Sequence, residues 1–518
     1  MNKRRYKEGI DRRQDFLLPP SLEEYVGAHN PVRAIDLYVD SLDLAALGFK
    51  NAGGELTPGQ PAYPPQALLK LYLYGYVHAV RSSRKLAQEC HRNLEVIWLV
   101  GGLRPGYKSI ADFRKDNLEA VKAVNRDFVH LCKLMDLFGR ELVSIDGSFF
   151  RGNVGKKHLY TQERVRKALE RIEQHISEYL AALEQADAAE DQLGEEKSET
   201  QASLQVKLDE LRTRQRQHQA RLEKLVASGE KQLAEVDEDA RLLRKNGQSL
   251  AGYNVQAAVD HKHKLIVVAE ATQDGNDQQQ LEPMAKAAQA VLEDPPEEQQ
   301  PAELASPTSP GSEAAAEAEV DSPALTVVAD PGYFNAQQIK NCVEAGITPY
   351  VPEPDKTRQA SQQGRFTRED FTYCAETNTY TCPRGEALRY TTTQNKQGKR
   401  IWVYVSQAAV CAQCPLKSQC LPAKTPYRQV TRWEHEDLID AHRQRMAEQG
   451  SQMMRTRACL AEHPFGSLKL SLGWTHFLLR GLDKVQAELS LMVLSYNFKR
   501  ALNILGMEVF RTYCLQRA

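Results

Sequence analysis

Three acidic residues lie in segments that could position them as catalytic or metal-binding groups. Asp146 lies in the middle of the alternating segment ELVSIDGSFF, and Asp330 ends the short apolar segment LTVVAD. Glu462 lies in the box AEHPFGSLK, with Arg457 five residues before it and Lys469 seven residues after it. Carboxylates from separated elements are the oxygen ligands that a pair of Mg²⁺ ions needs for phosphoryl transfer, and nearby cations suit phosphate contacts. For each acid alone, a role in a bend or an ion pair stays open.

Four cysteines form a second group of residues that could bind a ligand or react. Cys411 and Cys414 make a CxxC pair, Cys420 follows six residues later, and Cys382 precedes them in the segment CPRG. Four thiolates that include a CxxC pair are typical of a structural zinc site. Cys374 is a nearby substitute for one ligand, and free thiols or a redox pair are the alternatives to zinc.

The acids must be positioned by strands, and the sequence contains several strand signals. The segments GYNVQAAV (252–259) and KLIVVAEA (264–271) are apolar or alternating, and the polar residues DHKH between them predict a β-hairpin. Together with the segments that carry Asp146 and Asp330, they predict a mixed α/β sheet flanked by helices.

Helical patterns dominate both ends of the chain. The stretch PQALLKLYLYGYVHAV (65–80) is apolar at helical spacing, and Ser109 with Asp112 fits the pattern of a helix N-cap. Basic residues between these short helices favour a DNA-binding domain, and a dimerisation domain is the alternative. Residues 482–505 are again apolar at helical spacing, which predicts a core helix.

An insertion, residues 157–245, separates the first two strand signals. Its apolar residues recur at heptad spacing: Val165, Leu169, Ile172, Ile176, Tyr179 and Leu183, then Leu204, Leu208, Leu211, Leu222 and Leu225. Because the chain must return to a strand beside the one it left, this spacing predicts an antiparallel coiled-coil hairpin. A second segment, 294–323, consists mostly of Pro, Glu, Ala and Ser, which predicts a disordered acidic loop.

Composition and charge exclude several classes of protein. Of the 518 residues, 42% are apolar and 26% are charged, which excludes a disordered chain, a collagen and a membrane-embedded protein. Acids follow the basic start where a signal peptide needs an apolar run, so we expect an intracellular protein. Residues 1–140 and 331–518 carry net charges of +5 and +9, and residues 141–330 carry −15. The basic regions could bind a polyanion, with ordinary solvated charge as the alternative.

Taken in order, these segments resemble bacterial insertion-sequence transposases of the DDE class, and within them insertion-sequence family 1182. The segment SIDGS (144–148) resembles that family's first-Asp strand, VADPGY (328–333) its second-Asp box, and EHPFG (462–466) its Glu box. Glu462 and Lys469 also fit the wider pattern Tyr-x2-Arg-x3-Glu-x6-Lys. In that pattern Arg457 stands one residue too early, and Met454 takes the place of the Tyr.

The resemblance implies an RNase H-like catalytic core in which Asp146, Asp330 and Glu462 hold two Mg²⁺ (or Mn²⁺) ions. It implies cleavage of double-stranded DNA at the element's terminal inverted repeats and transfer of the freed 3′-OH into target DNA. A homodimer that binds paired ends in the bacterial cytoplasm is expected. The residues expected to contact DNA are Arg151, Arg457, His463 and Lys469.

The expected architecture has five parts. These are a helical DNA-binding or dimerisation domain (1–140), the RNase H-like core (141–351 and 431–510), the coiled-coil insertion (157–245), the acidic loop (294–323) and a Cys-rich insertion with a candidate zinc site (352–430).

Two other functions are compatible with the same residues. An RNase H-like nuclease would cut DNA without joining it. A domesticated DNA-binding or scaffold protein, in which the coiled coil is the functional part, commonly lacks one of the acids. Because Asp146, Asp330 and Glu462 are all present, that function ranks last.

Overall fold

The computed structural model describes most of the chain, as two compact units. The described residues are 21–53, 61–190, 198–229, 232–245, 247–293, 324–355, 362–396, 398–422 and 424–517. One unit combines Met1–Leu137 with Ser467–Ala518, and the other is Phe138–Gly466. The acidic segment 294–323 lies outside the described residues.

Both ends of the described chain are helical, and its centre contains helices and strands. The helices are α1 Leu22–Tyr25, α2 Val32–Asp40, α3 Pro65–Val77, α4 Ser83–Arg92, α5 Leu94–Leu99, α6 Tyr107–Asp116, α7 Leu118–Leu134, α8 Gln162–Glu190, α9 Ser198–Ser228, α10 Leu281–Leu292, α11 Ala336–Glu344, α12 Ala408–Ala412, α13 Lys417–Cys420, α14 Glu436–Gly466 and α15 Leu482–Arg517. The strands are β1 Leu142–Arg151, β2 Leu159–Thr161, β3 Gln232–Ala234, β4 Arg241–Lys245, β5 Gln248–Asp260, β6 Ile266–Thr272, β7 Thr326–Val328, β8 Thr348–Tyr350, β9 Thr372–Cys374, β10 Thr379–Thr381, β11 Ala387–Lys396, β12 Lys399–Val405 and β13 Gln429–Trp433.

Two apolar helices form the centre of the helical unit. Every residue from 68 to 77 in α3 is buried, and so is every residue from 487 to 498 in α15. Helices that are apolar on all sides belong in a core. α15 packs against α2, α3 and α7, and it breaks at Gly506, whose φ of +74° ends the regular helix. The C-terminal helix is therefore a core element of the N-terminal helical unit.

A buried ion pair ties this unit together. Arg81 Nη1 lies 3.2 Å from Glu488 Oε1, and the side chains are 8% and 0% exposed. Glu488 also accepts hydrogen bonds from the backbone N–H groups of Leu478 and Leu479, at 2.9 and 3.0 Å to Oε2. Burial raises the pKa of Glu488, while Arg114, Arg81 and these N–H groups lower it. The carboxylate thus holds the loop before α15 against residue 81.

The other unit is built on a six-stranded mixed sheet flanked by helices. The strand order is β4-β5-β1-β7-β8, and β6 also pairs with β5, which is long enough to take both β4 and β6 along one edge. β5 is antiparallel to β1, β4 and β6, whereas β1, β7 and β8 are parallel. α10 packs against β1, β5 and β6, and α14 packs against β1, β5, β7 and β8. The hairpin predicted from residues 252–271 is confirmed as β5 and β6.

Two further modules extend from this sheet. Between β1 and β4, strands β2 and β3 form an antiparallel ribbon, beyond which α8 and α9 pack against each other. Val165 and Leu225 are fully buried, and Ile172 and Leu208 are nearly so. These four residues stand at the predicted heptad positions.

The second module is a five-stranded antiparallel sheet in the order β13-β12-β11-β10-β9. Its core consists of Phe371, Tyr380, Leu388, Tyr404 and Val430.

The C-terminal segment differs from the expected arrangement. We expected residues 431–510 to belong to the catalytic core, yet Ser467–Ala518 packs with the N-terminal helices. The physical reason is that α15 buries its apolar surface against α2, α3 and α7. Among the described residues, no helix has the length and apolar composition needed to cross a membrane.

The buried ion pair generates a stability prediction. Glu488→Ala removes the carboxylate that pairs with the buried Arg81 guanidinium and should lower the free energy of unfolding by about 3–5 kcal/mol. Asp483→Ala is the control, because Asp483 is 63% exposed where it pairs with Lys122 and should contribute no more than about 1 kcal/mol. Urea unfolding followed by circular dichroism measures both. Equal losses in the two variants would contradict a structural role for the buried pair.

Candidate functional site

The pairing of β1 with β7 brings two of the predicted acids to neighbouring places just beyond the end of the ladder. Ser144 pairs with Val328 in the parallel ladder, and Asp146 and Asp330 each follow two residues later. Neighbouring strands lie about 4.8 Å apart. β7 ends at Val328, so Asp330 begins the turn beyond the strand. The two half-buried acids therefore occupy adjacent positions at the end of the β1–β7 ladder.

The turn after β7 fixes the backbone of Asp330. Its Oδ1 accepts a hydrogen bond of 2.7 Å from the N–H of Gly332, which caps the 3₁₀ turn Pro331–Tyr333. Proline at the first position of such a turn carries no N–H that needs a partner. The sequence Asp-Pro-Gly thus directs one carboxylate oxygen at its own backbone and leaves the other available to a ligand.

Glu462 lies on the helix that covers the same face of β1 as Asp146. Phe465 of α14 and Phe150 of β1 are in ring contact, with centroids 6.3 Å apart. Because side chains alternate along a strand, Asp146 points to the same side of the sheet as Phe150. Glu462 itself is exposed, next to the buried Ala461. Its carboxylate is thus on the covering helix rather than in the packed interface.

A network of amides and hydroxyls lies beside the two aspartates. The Tyr333 hydroxyl donates to Gln256 Oε1, and Gln256 Nε2 donates to Asp277 Oδ1 at 2.7 Å. Asn254 Nδ2 donates to the same Oδ1, also at 2.7 Å. A Cβ on Gly147 would lie 2.6 Å from Gln256 Nε2, 2.8 Å from Asp277 Oδ1 and 3.0 Å from the Tyr333 hydroxyl. Only glycine leaves room for this network next to Asp146.

The pKa of Tyr333 is affected by the negative charge around it. Burial raises the pKa of the Tyr333 hydroxyl well above its ordinary value, and the carboxylates of Asp277, Asp146 and Asp330 raise it further. Three acids therefore act on one buried hydroxyl. Such an accumulation of negative charge favours a bound cation.

The donor chemistry fits a hard divalent cation. The acids offer carboxylate oxygens, the ligands preferred by Mg²⁺ and Mn²⁺. Within the described ranges, no group of three or more His, Cys, Asp or Glu residues forms a ready metal site. The fit therefore rests on the oxygen ligands and on the places of Asp146 and Asp330 just beyond the β1–β7 ladder.

The cations predicted to contact DNA are distributed over both units. Arg151 is exposed at the end of β1, and Arg457 and His463 are half-buried on α14. Lys469 lies in the π-helical segment Ser467–Ser471, which belongs to the helical unit. On α14 the residue that shares the face of Glu462 is the exposed Arg455, seven residues earlier, because seven residues make almost two helical turns.

The four predicted zinc ligands line one cavity. Cys382, Cys411, Cys414 and Cys420 surround a volume of about 110 Å³, and Cys374 does not line it. Burial raises the pKa of the Cys420 thiol, Arg428 lowers it, and the three other cysteines raise it. Arg384, Arg389 and Lys417 also line the cavity. The fold thus collects cysteines that are spread over residues 382–420.

Sequence reasoning missed Asp277 and its amide partners. Asn254 and Gln256 alternate in a strand that is otherwise mostly apolar, so they share one face, and both are fully buried. That alternation was a usable signal for a polar site. Asp277 stands in a polar loop before α10 and carries no comparable signal.

Comparison with known proteins gives two matches to family models. Residues 20–116 match the family described as Transposase domain (DUF772), and residues 381–502 match the family described as Transposase DDE domain. The second match includes Glu462 and the cysteine cavity. A search of curated proteins found no match.

A solved structure, the piggyBac transposase synaptic complex with hairpin DNA, aligns with 95% of this chain and 80% of its own. The identity is 8% and the TM-score is 0.30, which is too low to establish a shared fold.

The crowding at Gly147 generates a second stability prediction. Gly147→Ala should displace the Gln256 and Tyr333 side chains and cost about 1–3 kcal/mol of unfolding free energy. The matched control is Gly275→Ala, because no atom lies within 4 Å of its added Cβ, and it should change stability by less than about 0.5 kcal/mol. Thermal unfolding of both variants tests this. A stable Gly147→Ala protein would mean that the network can open without cost.

Proposed function

We propose that this chain, a DDE-type DNA transposase of the insertion-sequence kind, cuts and joins DNA with Asp146, Asp330 and Glu462. The transposase domains at residues 20–116 and 381–502 identify the class of enzyme. The observation that supports the assignment of residues is the parallel β1–β7 ladder, because Asp146 and Asp330 each stand two residues beyond its last pair, beside the helix of Glu462. The finer assignment to insertion-sequence family 1182 is supported by the EHPFG box.

The proposed core is RNase H-like. The order β6-β5-β1-β7-β8, with three antiparallel strands followed by two parallel ones and α14 across β1, supports this proposal. We assign residues 1–140 to DNA binding or dimerisation, 157–245 to a coiled-coil hairpin and 352–430 to a Cys-rich insertion. The C-terminal helix α15 belongs to the same unit as the N-terminal helices.

Three carboxylates would hold two Mg²⁺ (or Mn²⁺) ions. Asp146 would supply oxygens from within β1, Asp330 from the turn after β7, and Glu462 from α14. When bound, such ions supply activation of the attacking oxygen and stabilisation of the leaving oxygen in a phosphodiester. The chain's own part is to fix these oxygens in place, which the Gly332 N–H does for Asp330.

The proposed reaction has two steps at one site. In the first, a water oxygen bonds to the phosphorus at the element's end, the bond to the 3′ oxygen breaks, and that oxygen leaves as a 3′-OH. In the second, this 3′-OH loses its proton and attacks a phosphorus of the target, whose own 3′ oxygen leaves. Each step exchanges one P–O bond for another, so no cofactor is consumed and no protein–DNA bond is needed.

Cations and a second copy of the chain complete the proposal. Arg151, Arg457 and His463, which lie in the acid-bearing unit, would contact phosphates, and so would Lys469 in the helical unit. Joining two ends calls for a homodimer on paired terminal inverted repeats. We place the reaction in the bacterial cytoplasm, where chromosomal DNA provides the target.

We also propose that Cys382, Cys411, Cys414 and Cys420 bind a structural Zn²⁺. Their convergence on one small cavity supports this, because thiolates are favoured zinc ligands and a small sheet with a minor core gains stability from a metal. The surrounding arginines and lysine would balance the negative charge of the thiolates.

Cleavage of the element's own ends tests the catalytic proposal. In Mg²⁺, wild-type protein should cut DNA that carries the ends flanking its gene. Asp146→Asn, Asp330→Asn and Glu462→Gln should each slow cleavage by more than about 100-fold, since even loss of an outer-shell partner costs up to that much. Product formation on denaturing gels measures the rate.

The control for Glu462→Gln is Glu448→Gln, because Glu448 is an exposed acid on the same helix. It should cut at the wild-type rate. If wild type and variants bind the ends and none cuts, a non-catalytic DNA-binding role replaces the proposal. If wild type cuts but pre-cut ends are never joined to target DNA, the protein is a nuclease.

Metal analysis tests the zinc proposal. Protein purified without chelators should contain about one zinc per chain, measured by plasma mass spectrometry. Cys414→Ser should lose it, whereas Cys459→Ser should retain it, because Cys459 is an exposed cysteine on α14 outside the cavity. Wild-type protein without zinc, or equal zinc in both variants, would leave the cysteines as free thiols.

A further inference from the structure

Asp277 lies next to the proposed catalytic acids, in the loop between β6 and α10. Its Oδ1 accepts two hydrogen bonds of 2.7 Å, from the side-chain amides of Asn254 and Gln256. Both amides are fully buried. Through Gln256 the acid is linked to Tyr333, whose hydroxyl donates to Gln256 Oε1. Asp277 thus orients the amide that connects β5 to the turn following Asp330.

The second oxygen of Asp277 faces the turn that carries Asp330. A Cβ built on Gly332 would lie 2.9 Å from Asp330 Oδ1 and 3.8 Å from Asp277 Oδ2, so both carboxylates border the same small space. On the other side, Gly147 follows Asp146 directly and its ideal Cβ lies 2.8 Å from Asp277 Oδ1. Asp277 is therefore adjacent to the backbone of both acids.

The charge of Asp277 is not balanced by a neighbouring cation. Two other half-buried acids have such a partner, Asp127 in Arg517 and Glu282 in Lys286. Among the residues that the structure describes, no Lys, Arg or His forms an ion pair with Asp277, whose hydrogen-bond donors are neutral amides. A half-buried carboxylate of this kind attracts a cation.

A buried acceptor beside Asp277 also points to a ligand. Asn254 is fully buried and directs its Nδ2 at Asp277, while its Oδ1 has no hydrogen-bond partner within the described part of the chain. Buried polar atoms in folded proteins nearly always have a partner. An unpartnered oxygen next to an uncompensated carboxylate is the arrangement expected where a hydrated cation belongs.

We propose that Asp277 is a fourth acid of the transposase site and that the divalent cation held by Asp146 and Asp330 depends on its charge for affinity. The inference rests on the proposed function, because it concerns the same site. Asp277 acts on the cation from beside Asp146 and Asp330, and it orients Gln256 and, through it, Tyr333.

Titration with Mn²⁺ tests the proposal without requiring DNA cleavage. Asp277→Asn retains a carbonyl oxygen to accept the two amide hydrogen bonds and removes only the charge. Calorimetric titration of the metal-stripped full chain should show Mn²⁺ binding weakened by about 10- to 100-fold in this variant. The melting temperature in EDTA should equal that of wild type. Asp274→Asn, an exposed acid in the same loop, is the matched control and should bind Mn²⁺ as wild type does.

Three outcomes separate the inference from the proposed function. If Asp146→Asn and Asp330→Asn weaken Mn²⁺ binding and Asp277→Asn does not, the fourth acid is overturned and the catalytic site stands. If none of the three changes Mn²⁺ binding, the catalytic site itself is overturned. If all three weaken it and Asp277→Glu restores part of the affinity, a charge-dependent role is supported, since a purely structural role would not be rescued.

A second measurement uses only the wild-type chain, so its result does not depend on whether the variants fold. Fe²⁺ bound to the wild-type chain, with peroxide and ascorbate, cleaves the backbone next to the metal, and mass spectrometry locates the cuts. Cuts within residues 274–280 as well as beside Asp146 and Asp330 support the proposal. Cuts confined to the neighbourhoods of Asp146 and Asp330 overturn it.

Discussion

Strand β1 is held between an antiparallel partner and a parallel one, and the acid site depends on this double pairing. Val143 to Arg151 pair with β5, while Leu142 to Ser144 pair with β7. The β5 side is packed so closely that an ideal Cβ on Gly252 would lie 2.0 Å from the Phe150 carbonyl oxygen. Because a shift of one residue would turn every side chain of β1 to the opposite face, this close pairing also fixes the direction of Asp146.

The same pairing brings carboxylates together in one half-buried region. Asp146 and Asp330 each stand two residues beyond the last pair of the β1–β7 ladder, and Asp277 is hydrogen-bonded to two amides of β5. Burial raises the pKa of Tyr333, and these carboxylates raise it further. Charges of one sign in a half-buried place repel one another, so a divalent cation is the natural complement. DNA, itself a polyanion, would then meet the site through that cation and through basic residues around it.

The helical unit depends on a contact between distant parts of the chain. Arg81 and Glu488 are brought together only when α15 folds back among the N-terminal helices. Once both are buried, each needs the other, because an unpaired charge in a core is costly. The chain therefore leaves the helical unit after residue 137, forms the acid-bearing unit, and returns to the first unit from residue 467. This path places Glu462 and Lys469, only seven residues apart in sequence, in different units.

The three catalytic candidates, the four cysteines and the elements that carry them could be predicted from local patterns in the sequence. Alternation marked β1 and the β5–β6 hairpin, and helical spacing marked α3 and α15, because these signals are local. The neighbours of each strand, the packing of α15 with the N-terminal helices, and the nearness of Asp277 to Gly147 and Gly332 became apparent in the fold. Strand register and the contacts of a loop depend on residues far apart in the chain, and no local period encodes them. Asp277 is the clearest example, because it is a single acid in a polar loop and only its contacts in the folded chain indicate a role.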